Sequence, residues 1–338
     1  MKGSHRIIVE SRKIKYDFII KRNITILTGD SGSGKTVLIE HIRDYRRYGS
    51  DSGVFLSCDR DCRTIDNEDW ERQISEISDS IIFIDEGNRF LTSKKFANLV
   101  QNSDNYFVIA TREKLPMLPY SVNEIYGFRK SGKFYEARQT YNEIYHLYGE
   151  ISEQRIIYPQ YVITEDSNSG YEFFSELSKE RDISCIPANG KSNIISSLQK
   201  VGKKEKTGLV IVDGAAFGSE MRDVSEYLKT VGDIVLYAPE SFEWLLLSTN
   251  MIPNIRVSQI LEHPENYIDS REYVSWERFF TALLMSQTQN EPLWEYSKKK
   301  LPEVYLSSKI TNAVKKQMKL IVWDKNKVLE NTNNQPST

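Results

Sequence analysis

Short apolar runs alternate with amphipathic stretches along the chain, and this rhythm predicts an α/β protein. Isoleucine- and valine-rich runs at 7–10 and 14–20, interrupted by Glu10, Lys15 and Asp17 and joined by Ser11-Arg12-Lys13, predict two strands leading into a third, Ile24-Thr25-Ile26-Leu27. A glycine-rich turn follows. Beyond it Val37, Leu38, His41, Ile42 and Tyr45 recur at helical spacing, so a helix is expected from Lys35 to about Tyr48. Gly49-Ser50-Asp51-Ser52-Gly53 ends it. The pattern continues with a strand at 54–57, an acidic amphipathic helix at 67–77, an apolar strand at 80–84, a helix near 94–100 and a strand at 106–110. The proline-bounded segment Leu115-Pro116-Met117-Leu118-Pro119-Tyr120 precedes an expected hairpin with arms at 123–129 and 133–138, turned by Lys130-Ser131-Gly132.

A boundary is expected at 149–159, after which a second alternation begins. Strands are predicted at 161–164, 183–187, 209–213 and 233–238, with helices at 171–179, 193–201 and 219–230 between them. From about residue 241 the pattern is helical, with Trp244, Trp276, Phe279, Phe280, Leu283, Leu284 and Trp294 as core candidates. The expected division is 1–150, 158–250, a helical extension at 251–323, and a polar tail at 324–338 that reads as frayed.

Composition narrows the class without changing this outline. The 338 residues are 39% hydrophobic and 27% charged, a globular profile with ample length for buried cores. A net charge of −2 supplies no global basic field for nucleic acid. Cys58, Cys62 and Cys185 are too few for a disulfide scaffold and predict a reducing, cytoplasmic setting. Cys58 and Cys62 lack a second pair to complete a zinc set and read as ordinary thiols. The N-terminus has no signal-like apolar run, and no stretch reaches the length of a membrane span, so no membrane partner is expected.

Two stretches carry candidate chemistry. Gly29-Asp30-Ser31-Gly32-Ser33-Gly34-Lys35-Thr36 matches the phosphate-binding pattern GxxxxGK[ST], known as Walker A or the P-loop. Its glycines let backbone N–H groups approach a phosphate, and the helix that follows presents its positive end to the same place. Lys35 supplies a mobile cation, and the Thr36 hydroxyl is a ligand for Mg²⁺. Further on, Ile81-Ile82-Phe83-Ile84-Asp85-Glu86 puts two carboxylates at the C-terminal end of a buried strand, the Walker B arrangement. There Asp85 would hold Mg²⁺ through water, and Glu86 would orient or deprotonate an attacking water. Thr111 and Arg112 end the strand at 106–110 and fall at the same edge, to sense a γ-phosphate and to contact phosphate or a neighbouring subunit.

With these motifs, residues 1–150 resemble P-loop ATPases of the additional-strand, catalytic-glutamate type. The resemblance implies a three-layer α/β sandwich that hydrolyses ATP with Mg²⁺ and completes its site in a homo-oligomer, with Arg112 as the trans-acting candidate. The entering hairpin also resembles the start of an ABC-type ATPase, but no LSGGQ-like signature is present and little chain separates Thr36 from Asp85. No Asn/Thr-Lys-x-Asp motif is present, which favours ATP over GTP.

Residues 161–247 resemble Toprim domains, found in topoisomerases, primases and nucleases of the overcoming-lysogenisation-defect family. The resemblance rests on Tyr161-Val162-Ile163-Thr164-Glu165-Asp166, the turn Pro187-Ala188-Asn189-Gly190-Lys191-Ser192-Asn193, Leu209-Val210-Ile211-Val212-Asp213-Gly214, and Pro239-Glu240-Ser241-Phe242-Glu243-Trp244. It implies a second divalent-metal site, with Glu165 as acid/base or ligand, Asp213 as ligand, and Glu240 or Glu243 as auxiliary ligands. Where Toprim domains carry a second aspartate, this chain has Ala215, and Glu220 on the next helix is the substitute. Together the two resemblances imply an ATPase controlling a Toprim-like effector that acts on DNA or RNA, in phage defence or a mobile element. Two other readings stay open: a non-catalytic nucleotide switch that binds a protein partner, and a phosphotransferase. The tyrosine-rich stretch (Tyr120, Tyr126, Tyr135, Tyr141, Tyr145, Tyr148) with Arg129, Lys130 and Lys133 reads either as a packing hairpin or as a nucleic-acid or partner surface.

Overall fold

The computed structural model describes residues 1–30, 32, 34–65, 68–131, 140–148, 156–179, 182–201, 207–253 and 256–323. The chain is α/β and divides into two compact units, Met1–Gly149 with Gln259–Arg278, and Glu150–Ser258 with Phe279–Thr338.

The first unit is built on strands β1 (His5–Ser11), β2 (Ile14–Ile20), β3 (Ile24–Leu27), β4 (Val54–Ser57), β5 (Asp61–Ile65), β6 (Ser80–Ile84), β7 (Tyr106–Ala110), β8 (Ile125–Ser131) and β9 (Thr140–His146). Helices α1 (Lys35–Tyr48), α2 (Trp70–Glu76) and α3 (Lys94–Gln101) connect them. All nine strands form one sheet in the order β4-β1-β2-β9-β8-β3-β7-β6-β5. From β8 to β5 every neighbouring pair is parallel. The β1/β2, β1/β4 and β8/β9 pairs are antiparallel. Parallel strands covered on both faces need apolar side chains throughout, and β3, β6 and β7 are buried at every position.

Strands β4 and β5 lie at opposite edges of this sheet, yet only Cys58, Asp59 and Arg60 separate them in sequence. A link that short spans at most about 14 Å when fully extended. The sheet therefore curls enough to bring the Ser57 end of β4 near the Asp61 end of β5. Helix α1 supplies Leu38, Ile39 and Ile42 to the core against Ile7, Val9, Leu27, Val54, Ile81 and Val108. Each of these fully buried aliphatic side chains contributes roughly 1.5–3 kcal/mol.

Three expectations differ from the observed elements. Strand β5 was not expected, because Asp61-Cys62-Arg63-Thr64-Ile65 is polar and only Cys62 and Ile65 are buried. Helix α2 begins at Trp70, where the Trp70 ring stacks on Phe90 at 4.6 Å, rather than at 67. The partner of β8 is β9 at 140–146, whereas the expected arm at 133–138 lies outside the described residues.

The second unit has strands β10 (Tyr161–Thr164), β11 (Ser184–Pro187), β12 (Gly208–Ile211) and β13 (Ile234–Tyr237), all parallel, in the order β11-β10-β12-β13. Helices α4 (Ser169–Lys179), α5 (Ile194–Val201) and α6 (Gly218–Val231) provide the crossovers, and α7 (Phe242–Ser248) follows β13. Of the C-terminal helices, α8 is Ser258–Glu262, α9 is Trp276–Thr288 and α10 is Ser308–Gln317. The helical extension expected at 251–323 is therefore not one block. Gln259–Arg278 belongs to the first unit because the Met1 ammonium meets Asp269 at 3.3 Å, Asn23 Nδ2 donates to the Val274 carbonyl at 2.8 Å, and the Arg22 guanidinium lies 3.5 Å from the Trp276 ring centre. Of the core candidates, Trp276, Phe279, Phe280 and Leu284 are buried, while Trp244, Leu283 and Trp294 are half-buried. Among the described residues no helix is long and apolar enough to cross a membrane.

Candidate functional site

The turn between β3 and α1 has its glycines in the left-handed region, with φ of +133° at Gly29, +78° at Gly32 and +108° at Gly34. Gly32 faces open space, so its glycine requirement is purely torsional. At Gly34 a Cβ would also lie 2.5 Å from Asn142 Nδ2 and 2.9 Å from Tyr16 Oη. Gly34 is the N-cap of α1 and offers no side-chain acceptor, which leaves the first-turn N–H groups available to an anion. Ser31 and Ser33 lie outside the described residues, and Asp30 is exposed.

Lys35 is only 4% exposed, and its Nζ donates to the Gly29 carbonyl at 2.5 Å and the Asp30 carbonyl at 3.1 Å. Burial pushes its pKa down, while the Glu86, Asp30 and Asp85 carboxylates pull it back up. The ammonium thus rests on the loop that it would leave for a phosphate. Thr36, exposed on the same turn, donates its hydroxyl to Asp85 Oδ1 at 3.4 Å. Asp85 Oδ1 also accepts from the Glu86 N–H at 2.8 Å, and Asn88 Nδ2 donates to the Asp85 carbonyl at 2.7 Å, which fixes the loop after β6.

Strand β7 lies between β3 and β6, so its end falls between the glycine-rich turn and the two acids. Thr111 is buried there; its N–H donates to the Leu27 carbonyl at 3.0 Å and its Oγ1 accepts from the Glu113 N–H at 2.9 Å. Arg112 Nε donates to Glu86 Oε1 at 2.5 Å. This pair is partly exposed, so it stabilises the loops by no more than about 1 kcal/mol and is easily exchanged. Lys35, Thr36, Asp85, Glu86, Thr111 and Arg112 therefore share the C-terminal edge of three adjacent parallel strands, as expected. Thr36 and Asp85 offer hard oxygen donors side by side, a chemistry that suits Mg²⁺.

Two residues at this site were not anticipated. The buried Tyr16 of β2 donates its hydroxyl to the Gly34 carbonyl at 2.8 Å, and Asn142 of β9 packs behind the same glycine. Burial pushes the Tyr16 pKa up to about 12, opposed by a hydrogen bond with Asn142. The only sequence signal was the alternation in β2 that turns Tyr16, Phe18 and Ile20 inward.

In the second unit the strand order reverses between β10 and β12, where open α/β sheets bind ligands, and Glu165 and Asp213 stand at that position. Their carboxylates, however, accept from backbone amides. Glu165 Oε2 accepts from the Asp213 N–H at 3.1 Å, and Asp213 Oδ1 accepts from the Phe242 N–H at 3.0 Å, at the first residue of α7. Asp166 accepts from the Tyr171 N–H at 3.1 Å and the Gly170 N–H at 3.3 Å at the start of α4, and burial raises its pKa. Glu243, 1% exposed, accepts the Tyr296 hydroxyl at 2.8 Å on Oε1, while its buried Oε2 has no hydrogen-bond partner among the described residues. Glu220 is buried beside the Ser219 hydroxyl at 3.3 Å, and Glu240 offers its carbonyl to the Ala215 N–H at 3.1 Å. Among the described residues no group of three or more His, Cys, Asp or Glu converges to hold a metal. The cavity lined by Glu165, Asp166, Asp213, Pro239 and Phe242 measures about 20 Å³, room for roughly one water. Among the described residues, Glu165, Asp213, Glu220, Glu240 and Glu243 therefore do not form a convergent metal-binding group, and Asp213 and Glu243 are engaged by a backbone amide and by a buried tyrosine.

No protein-family model matches this chain, and no curated protein matches it.

Proposed function

We propose that the first unit binds ATP with Mg²⁺ and hydrolyses its terminal phosphoanhydride bond. The observation that supports this reading most directly is the 3.4 Å contact of Thr36 Oγ1 with Asp85 Oδ1, with Glu86 beside it and one strand inserted between theirs. In the proposed cycle Lys35 exchanges the Gly29 and Asp30 carbonyls for β- and γ-phosphate oxygens, and the loop N–H groups and first turn of α1 take the remaining charge. Thr36 and Asp85 would hold the ion, whose charge would offset that developing on the leaving phosphate oxygens. Glu86 leaves Arg112, orients a water and accepts its proton as the water oxygen attacks phosphorus and the bond to ADP breaks. Arg112, released, is then able to meet phosphate in the same or a neighbouring subunit, and Thr111 lies where a γ-phosphate is sensed. The preference for ATP over GTP rests on the missing guanine-recognition motif.

The wider reading is a cytoplasmic, homo-oligomeric ATPase whose nucleotide state controls a Toprim-like second unit acting on DNA or RNA, as in phage defence. It rests on the order of the strand-end acids. The engaged carboxylates of Asp213 and Glu243 favour a second version, in which that unit binds a partner and is not itself a metal-dependent nuclease.

Phosphate release from ATP, measured with and without DNA and RNA, tests the core of this reading. Lys35→Ala is expected to lower turnover by on the order of 10²-fold or more. Glu86→Gln is expected to keep nucleotide affinity while losing turnover. Wild-type protein that binds ATP but releases no phosphate under any divalent ion would leave only the switch; transfer of phosphate to an acceptor other than water would point to a phosphotransferase.

A further inference from the structure

The link between β4 and β5 brings two thiols together around one residue. Cys58 follows β4 and Cys62 lies on β5, and both pack on the same hydrophobic cluster beneath α1. The Arg60 N–H donates to Cys58 Sγ at 3.5 Å, and the Cys62 thiol donates to the Arg60 carbonyl at 3.8 Å. Both sulfurs therefore face the inside of the same short bend. Their exposures differ: Cys58 is half-buried, and Cys62 is 1% exposed. The backbone around them is anchored by charge pairs, with the His5 ring 2.9 Å from Asp59, and Arg46 and Arg63 on Asp61 at 2.5 and 2.7 Å.

We propose that Cys58 and Cys62 form a thiol–disulfide site that reacts with hydroperoxides, Cys58 as the attacking sulfur and Cys62 as the resolving one. The balance is that of a two-electron oxidation. The Cys58 thiolate attacks one peroxide oxygen, the O–O bond breaks, and the departing oxygen takes a proton to leave as water or alcohol, giving a sulfenic acid. Cys62 sulfur then attacks the Cys58 sulfur, the S–O bond breaks, and hydroxide leaves as water with the Cys62 proton. The electrostatics of the two thiols fit this division. Contact with the Cys62 thiol and a hydrogen bond from the Arg60 N–H lower the Cys58 pKa, against burial and the Asp59 carboxylate, to which the Cys58 thiol donates at 3.6 Å, whereas Cys62 is raised strongly by the same contact and by burial. Cys185 is pushed up to about 12 by burial and offers an internal reference. In a reducing compartment such a disulfide is transient and is returned to thiols by exchange. The inference is independent of nucleotide chemistry.

Full-length protein treated with hydrogen peroxide, alkylated and mapped by peptide mass spectrometry tests it. The expected result is a 58–62 disulfide peptide lighter by two hydrogens, reversed by dithiothreitol, with Cys185 still alkylated. In Cys62→Ser, and in Cys62→Ala as a second packing variant, a dimedone-type probe should label Cys58; in Cys58→Ser no label and no bridge should form. A bridge to Cys185, oxidation of wild-type Cys58 to sulfinic acid without a bridge, or unchanged alkylation of both thiols would overturn the proposal.

Discussion

Tyr16 shows how much of a phosphate-binding turn is held from behind. Its hydroxyl is the partner of the Gly34 carbonyl, one residue before Lys35, and it is buried, so water is not available as a replacement. Tyr16→Phe removes that bond while keeping the ring, and is expected to cost about 1 kcal/mol of stability. It should also raise the KM for ATP more than it lowers kcat, read from denaturant midpoints and steady-state phosphate release. Asp166 offers a test with a defined sign. Burial raises its folded pKa above the unfolded value, so the folded state binds more protons between the two, and stability falls as pH rises through that window. Asp166→Asn keeps a capping oxygen for Gly170 and Tyr171 but removes the charge. The stability of the variant relative to wild type should therefore increase from the ordinary carboxylate range towards neutrality, as followed by urea unfolding at stepped pH. A difference that shrinks with rising pH would contradict the assignment.

At the scale of elements, the entry into α1 depends on a glycine that is constrained twice. Gly34 has φ of +108°, and a Cβ there would collide with Asn142 and Tyr16. Gly34→Ala is expected to cost roughly 1–3 kcal/mol and to abolish nucleotide binding, measured by thermal unfolding and by titration with a fluorescent ATP analogue. Most elements were legible because β-branched runs and 3.6-residue periodicity are local properties, as in β3, β6, β7 and α1. Strand β5 was not, since its place is set by pairing with β6 and its residues carry no apolar alternation. Residues 140–146 were not anticipated as the partner of β8, because a tyrosine-bearing alternating run does not by itself name its pairing partner. At the candidate site, Lys35, Thr36, Asp85, Glu86, Thr111 and Arg112 were legible from strand ends. Tyr16 and Asn142 come from β2 and β9, far from the turn in sequence, and the alternation that turns Tyr16 inward does not tell which loop it supports. The strand-end acids of the second unit could not be sorted for a related reason: a carboxylate that accepts backbone amides and one that binds a metal look alike in sequence.

For the whole molecule, sequence distance is a poor guide to membership. Gln259–Arg278 joins the first unit after a long excursion, and Trp276 covers the Arg22 guanidinium there while Arg22 reaches Glu124 at 3.5 Å. Trp276→Ala is expected to cost roughly 3–5 kcal/mol. The loss should appear in the unfolding transition that an ATP analogue shifts; an unchanged transition would refute the assignment of this segment. The short link between β4 and β5 has a different consequence. A sheet whose outer strands are tied three residues apart is a hoop drawn nearly shut, not a ribbon with two open sides. At the tied end, a strand offered by another chain to either rim meets the opposite rim, which removes the usual template for runaway strand addition. Strand addition at that end is thereby disfavoured, and a fibril built on these rims would first have to cut the hoop.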